Sequence, residues 1–165
     1  PDARRLDRDL DARLGVLARP ISDVDFTKRA TPSGLFLAEA VRDASKADVG
    51  LYSATQYGGT IAAGPVTRRD VYAHTPAYTR QHVVIVDAPA ETLRAALAKA
   101  NVEGQWHAHA LLRGDRGRVG VASGAHVIQE LLLGQPGVTI RYDDPLGPSV
   151  RDAIMRSIER GHSPG

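Results

Sequence analysis

Cysteine is absent from the 165-residue chain, which excludes disulfides, thiolate zinc sites and a cysteine nucleophile. The redox compartment stays open. No apolar run approaches the roughly 20 residues that a membrane span needs, so no membrane partner is expected. The first residues are charged and lack a signal-peptide core, which predicts a soluble chain that never carried an export signal or has lost it; localisation stays open. Charge of one sign is not in excess either. Lysine and arginine number 21 against 19 aspartates and glutamates, and basic residues cluster only in pairs such as Arg4-Arg5 and Arg68-Arg69. A nucleic-acid partner is therefore not expected. Internal repeats and low-complexity tracts are missing, and the length suits one well-packed domain.

What is present is a mixture of short helical and extended patterns. Leu6, Leu10, Leu14 and Leu17 recur at three- and four-residue intervals, which predicts a helix over 2–18, stopped by Pro20, with its arginines on a solvated face. An extended piece over 21–26 and a polar loop should lead to a helix over 35–45 with Ser33 as N-cap. Strands are expected at 48–52 and 82–86, the second central because both its faces are apolar. Between them lie a glycine-rich loop, 55–64, a turn at 64–67, and a short helix at 68–72 capped by Thr67, with Val71 and Tyr72 inward. A helix should cover 90–100. The segment 105–112 alternates, with Trp106, Ala108 and Ala110 on one side and His107, His109 and Leu111 on the other. It is expected to pair with 118–122 as a hairpin. A helix near 124–133, a strand at 138–142 and a closing helix over 149–160 complete the pattern, with Val150, Ile154 and Ile158 inward and 162–165 frayed. Without strict βαβ alternation, the chain should be an α/β or α+β domain with a mixed sheet.

Several ordered phrases resemble one known family. They are Ala47-Asp48-Val49-Gly50-Leu51, Gly64-Pro65-Val66-Thr67, Asp70-Val71-Tyr72, Pro76, the strand Val83-Val84-Ile85-Val86, the helix 34–43 and the closing Val150-Arg151-Asp152-Ala153. Together they are similar to the C-terminal domain of the 5'-nucleotidase family. The resemblance implies a four-layer αββα domain over 21–165, with 1–20 as the helix that links it to an N-terminal catalytic domain. It also implies frequent export, a nucleotide- or nucleoside-like small molecule as partner, and hydrolysis by two metals held in that other domain. No D-x-H, G-N-H-[DE] or G-H-x-H phrase occurs here, so no cofactor is expected in this chain, and divalent metals only with a separate metallophosphoesterase domain. The family's substrate grip is also altered. Its Asn falls on Ser53, its Gly-Gly on Thr55-Gln56, its Arg on Gly58 and its loop Phe on Ala77, while its G-G-D-G region falls on 128–132, which has no glycine or aromatic residue.

The loops 53–59 and 75–81 should meet at one end of such a domain. Ser53, Gln56, Tyr57, Tyr78, Arg80 and Gln81 are thus the candidate ligand-binding set, with Arg80 offered to a phosphate or carboxylate; ordinary exposed loop residues would give the same pattern. His107 and His109 could hold a metal if His126 or His82 joined them, although histidines on the wet face of a strand explain the spacing equally. Asp70 and Tyr72 are read as a helix-packing pair, and Asp143-Asp144 as a turn before Pro145. Ser53 and Ser123 lack the G-x-S-x-G context, which leaves no case for acyl transfer. Three readings follow: a ligand-binding domain of a phosphoesterase that does not hydrolyse alone, a stand-alone enzyme or small-molecule-binding protein using the scaffold for other chemistry, and an interaction module that docks on a separate catalytic domain.

Overall fold

A computed structural model describes residues 2–75, 81–104, 107–114 and 117–165. In order, the elements are α1 (Ala3–Leu10), β1 (Arg13–Leu17), β2 (Ile21–Ser22), α2 (Pro32–Ser45), β3 (Val49–Ser53), a 3-10 turn (Ala54–Gln56), β4 (Thr60–Ile61), β5 (Gly64–Thr67) and α3 (Arg68–His74). After these come β6 (Val83–Pro89), α4 (Ala90–Val102), β7 (His107–Ala110), β8 (Arg118–Gly124), α5 (Ala125–Leu131), β9 (Thr139–Asp143) and α6 (Val150–Glu159). The main sheet is mixed, with strand order β7-β3-β8-β6-β9. Only β3 and β8 run parallel; the other neighbours are antiparallel. The rest of the described β structure is two ribbons, β1 with β5 and β2 with β4. This is the α/β architecture that the residue patterns predict.

Each face of the main sheet carries its own apolar core. On one side Leu37 and Val41 of α2 meet Tyr52, Val83, Ala108 and Ala110, and α6 backs them with Ile154 and Ile158. Across the sheet, Leu93 and Leu97 of α4 and Ile128 of α5 pack on Val49, Leu51, Val84, Val86 and Val121. Burying each such side chain contributes about 1.5–3 kcal/mol. Strand β3 is buried at all five positions. Its Gly50 lets α2 approach, because a Cβ there would sit 2.0 Å from the Ala38 carbonyl oxygen. Among the described residues, no helix is long and apolar enough to cross a membrane.

Several expectations need correction. The opening helix ends at Leu10, so the helix expected over 1–20 is a helix only at Ala3–Leu10. Leu14 and Leu17 instead belong to β1, where a bulge between Arg13 and Gly15 lets residues three apart face the same core. Its partner β5 is a strand where a turn was expected. Helix α2 is capped by Thr31, which accepts from Gly34 N, with Pro32 in the first turn; the Ser33 hydroxyl accepts from Ser22 N, 2.9 Å away. Tyr72 is exposed, leaving Val71 as the buried residue of α3.

The expected hairpin of 105–112 with 118–122 does not form. Strand β3 lies between β7 and β8 and pairs with both, since its two apolar faces cover more core in the centre of the sheet than at its edge. The final residues are tied rather than frayed: Ser163 Oγ accepts from Ala18 N at 2.8 Å, and Pro164 is buried.

Candidate functional site

Strands β3 and β8 run parallel and end together, at Ser53 and Gly124. That end of the sheet also receives the start of β7, where His107 stands opposite Ser53, and the start of β6, where Val83 stands opposite Gly124. Carboxyl ends of parallel strands, where connections diverge, are where open α/β sheets commonly hold ligands. The chain is apolar up to this edge and then places polar side chains inside it.

Ser53 is buried as the last residue of β3, and the 3-10 turn that follows carries Gln56 inward to 2% exposure. Tyr52 Oη donates to the Gln56 carbonyl at 2.9 Å, which fixes the backbone. Among the described residues, the side-chain amide has neither a donor nor an acceptor partner. A buried polar group left unpaired costs about 1–3 kcal/mol, so Gln56 is held in this corner at a cost to the fold. Gln81 comes from the opposite side. Its Oε1 accepts from His126 N and its backbone oxygen from Val150 N, which joins the first turns of α5 and α6. Both amides converge above Gly124: a Cβ there would lie 3.2 Å from Gln81 Oε1 and 3.6 Å from Gln56 Nε2.

Tyr57 belongs to the core instead. Its ring lies between Phe26, at 5.9 Å between centroids, and His74, at 6.1 Å and nearly parallel. Burial holds its phenol well above the usual range, so it stays protonated. Tyr78 and Arg80 lie outside the described residues. The structure therefore brings Ser53, Gln56 and Gln81 to one corner and assigns Tyr57 to packing.

The two strand histidines share a face but not an environment. His107 is buried, with Nδ1 unpaired among the described residues, whereas His109 is exposed. Placing His107 on a wet face is thus incorrect; α4 and α5 cover that side of the sheet. Desolvation lowers both imidazoles below the ordinary value, and nearby Glu130 only partly opposes this at His107. Neither suggested third ligand joins them. His126 pairs with Glu130 at 3.0 Å and His82 with Asp143 at 2.6 Å. Among the described residues no three His, Asp or Glu side chains gather to hold a metal ion.

Other acidic candidates have local work. Asp70 closes a capping box with Thr67, and Asp144 Oδ1 accepts from Leu146 N in a turn.

One cluster was not foreseen from the sequence. Arg151, in the first turn of α6, is 5% exposed, donates from Nε to Thr75 Oγ1 at 2.8 Å and from Nη2 to the Thr75 carbonyl at 2.7 Å, and stacks 4.2 Å above the Tyr72 ring. No carboxylate among the described residues pairs with it. Neutral acceptors and a π face therefore carry the buried charge. The available signal was the Arg151-Asp152 phrase at the helix start, which marks a cap but does not reveal a contact 76 residues away.

The fold and this corner define an α/β domain with polar groups buried where its parallel strands end. The chain belongs to the 5'-nucleotidase C-terminal domain family, whose model matches residues 13–158. Among solved structures, its fold is similar to a 5'-nucleotidase precursor from Thermus thermophilus, at a TM-score of 0.75 and 13% identity, covering 98% of this chain and 39% of that one. It is also similar to the NAD nucleotidase of Haemophilus influenzae, at 0.71 and 13%, covering 98% and 37%. The sulfate thiohydrolase of Thermus thermophilus follows at 0.66 and 14%, covering 97% and 34%. The chain thus spans about two fifths or less of these proteins. A comparison with curated protein sequences gives no significant match.

Proposed function

We propose that this chain is the ligand-side domain of a two-domain phosphoesterase, binding a nucleotide- or nucleoside-like molecule beside Ser53, Gln56 and Gln81, and that it releases no phosphate alone. One observation carries the reading: the Gln56 amide is buried and, among the described residues, unpaired on both atoms at the end of the parallel strands. A donor and an acceptor held side by side suit the edge of a heterocycle or a sugar diol, and a ligand that engages them recovers the cost of their burial. Family membership supports the division of labour. The missing metal-ligand phrases support the absence of hydrolysis in the isolated chain. The names of its structural relatives suggest nucleotides and NAD as test ligands, and the panel is AMP, UMP and NAD, with uridine and a sugar phosphate to separate the base from the phosphate.

Thermal melting tests the reading through ligand-linked stabilisation. At least one panel member should raise the melting temperature of the wild type and lose that effect in Gln56→Leu. Mixtures containing Mg2+, Mn2+ or Zn2+ should release no phosphate. A panel without any shift, or metal-dependent phosphate release by this chain alone, contradicts the proposal.

A further inference from the structure

The Gln56 and Gln81 amides converge above Gly124 without bonding each other. Their spacing is therefore set from outside the pair. The loop that carries Gln56 is fastened to the end of α3: Gly58 N donates to the His74 carbonyl at 3.2 Å, and the Tyr57 ring stacks on the His74 ring. Gln81 is fastened to the start of α6. There Val150 N donates to the Gln81 carbonyl at 3.0 Å, and Val83 N donates to the Pro148 carbonyl at 2.9 Å.

Arg151 joins these two anchors. It follows Val150 directly and reaches Thr75, the residue after His74, with Nε on Oγ1 and Nη2 on the carbonyl, while its guanidinium lies over the Tyr72 ring. Such a fork fixes orientation as well as distance. Between α3 and α6 the described residues offer one other ion pair, Arg68 with Glu159 at 3.6 Å, and it is exposed and contributes little. Stability alone does not favour a guanidinium at 151. Burying a cation on neutral partners carries a desolvation cost that an apolar side chain avoids, but an apolar side chain could not hold Thr75 in place.

We infer that Arg151 is a positioning residue: by tying the end of α3 to the start of α6, it sets the spacing of the Gln56 and Gln81 amides and so their joint reach toward one ligand. This role presupposes the ligand corner proposed above. It requires no contact between Arg151 and the ligand.

Side-chain amide spectra of the unliganded, 15N-labelled chain test it, with the two pairs assigned by their absence from Gln56→Leu and Gln81→Leu spectra. Thr75→Val keeps the side-chain shape and removes the Nε acceptor, whereas Arg151→Lys keeps the charge and removes the fork. Each should move both the Gln56 and Gln81 signals, and Thr75→Ser, which retains the hydroxyl, should leave them at their wild-type positions. Leu97→Ala, in the core across the sheet, controls for lost stability. It should lower the melting temperature and leave both amide signals in place. Signals that stay put in either Thr75→Val or Arg151→Lys overturn the inference. So does an equal movement in Leu97→Ala, or a Thr75→Ser spectrum that matches Thr75→Val. Because no ligand is present, the two claims fail separately: a panel without binding contradicts the proposed function, whereas unmoved amides contradict only the role of Arg151.

Discussion

Gln56 carries two opposed effects at the scale of a single residue. Its amide, unpaired among the described residues, weakens the fold, and a ligand that reached it would recover that cost. Gln56→Leu should therefore stabilise the unliganded domain by about 1–2 kcal/mol, the order of the penalty it removes. Urea denaturation would check this, and a loss of stability would mean that the amide is satisfied within the protein. His107 supplies a pH dependence. Its folded-state affinity for protons is lowered by burial, so above the ordinary imidazole value of 6.5 both folded and unfolded states are neutral and stability is full. Below that value the unfolded chain takes up the proton first, and stability falls as pH drops toward the depressed folded value. Denaturation at about pH 7.5 and about pH 5.5, on either side of the imidazole range, should show this loss, and His107→Gln should reduce it. From sequence, Gln56 was recognisable as a loop residue facing a candidate site. Its burial, and that of His107 and Arg151, was not, because each depends on elements far away in the chain.

Among the elements, those with local punctuation were legible. Thr67 followed by Asp70, and Ser149 followed by Asp152, form reciprocal caps, and both helices begin where those residues place them. Ser149→Ala should cost about 1 kcal/mol, readable as a lower melting temperature; no change would mean that α6 is held by packing alone. Helix α1 behaves differently. It buries no residue, and Arg69 ties Asp7 and the adjoining Asp11 to the rest of the fold through ion pairs. Exposed pairs of this kind contribute little. The leucine spacing misled beyond Leu10 because residues three apart share a face in a helix and also across a bulged strand. Only pairing with β5, roughly 50 residues further along the chain, distinguishes the two. Gly50 shows the reverse situation. Its identity was plain, whereas the contact with α2 that demands it was not. Gly50→Ala should destabilise by at least the roughly 1–3 kcal/mol of ordinary overpacking, and a smaller loss would show that α2 can move aside.

For the molecule as a whole, the mixed α/β class and the family followed from ordered phrases spread along the chain, whereas strand order did not. Nothing local says that β3 inserts between β7 and β8, since that choice is set by how much apolar surface each strand covers on both faces. The same insertion creates the candidate site. It makes β3 and β8 parallel and brings their ends together, with Gln56 beside Gly124 and His107 opposite Ser53. The central claim is that this corner receives a small ligand through Gln56. Side-chain amide resonances of the 15N-labelled chain test it most directly, with the Gln56 pair assigned by its absence from the Gln56→Leu spectrum. Titration with AMP, UMP, uridine, NAD and a sugar phosphate should move the Gln56 and Gln81 side-chain signals together and saturably for at least one of them. Signals that stay in place through the whole panel would contradict it.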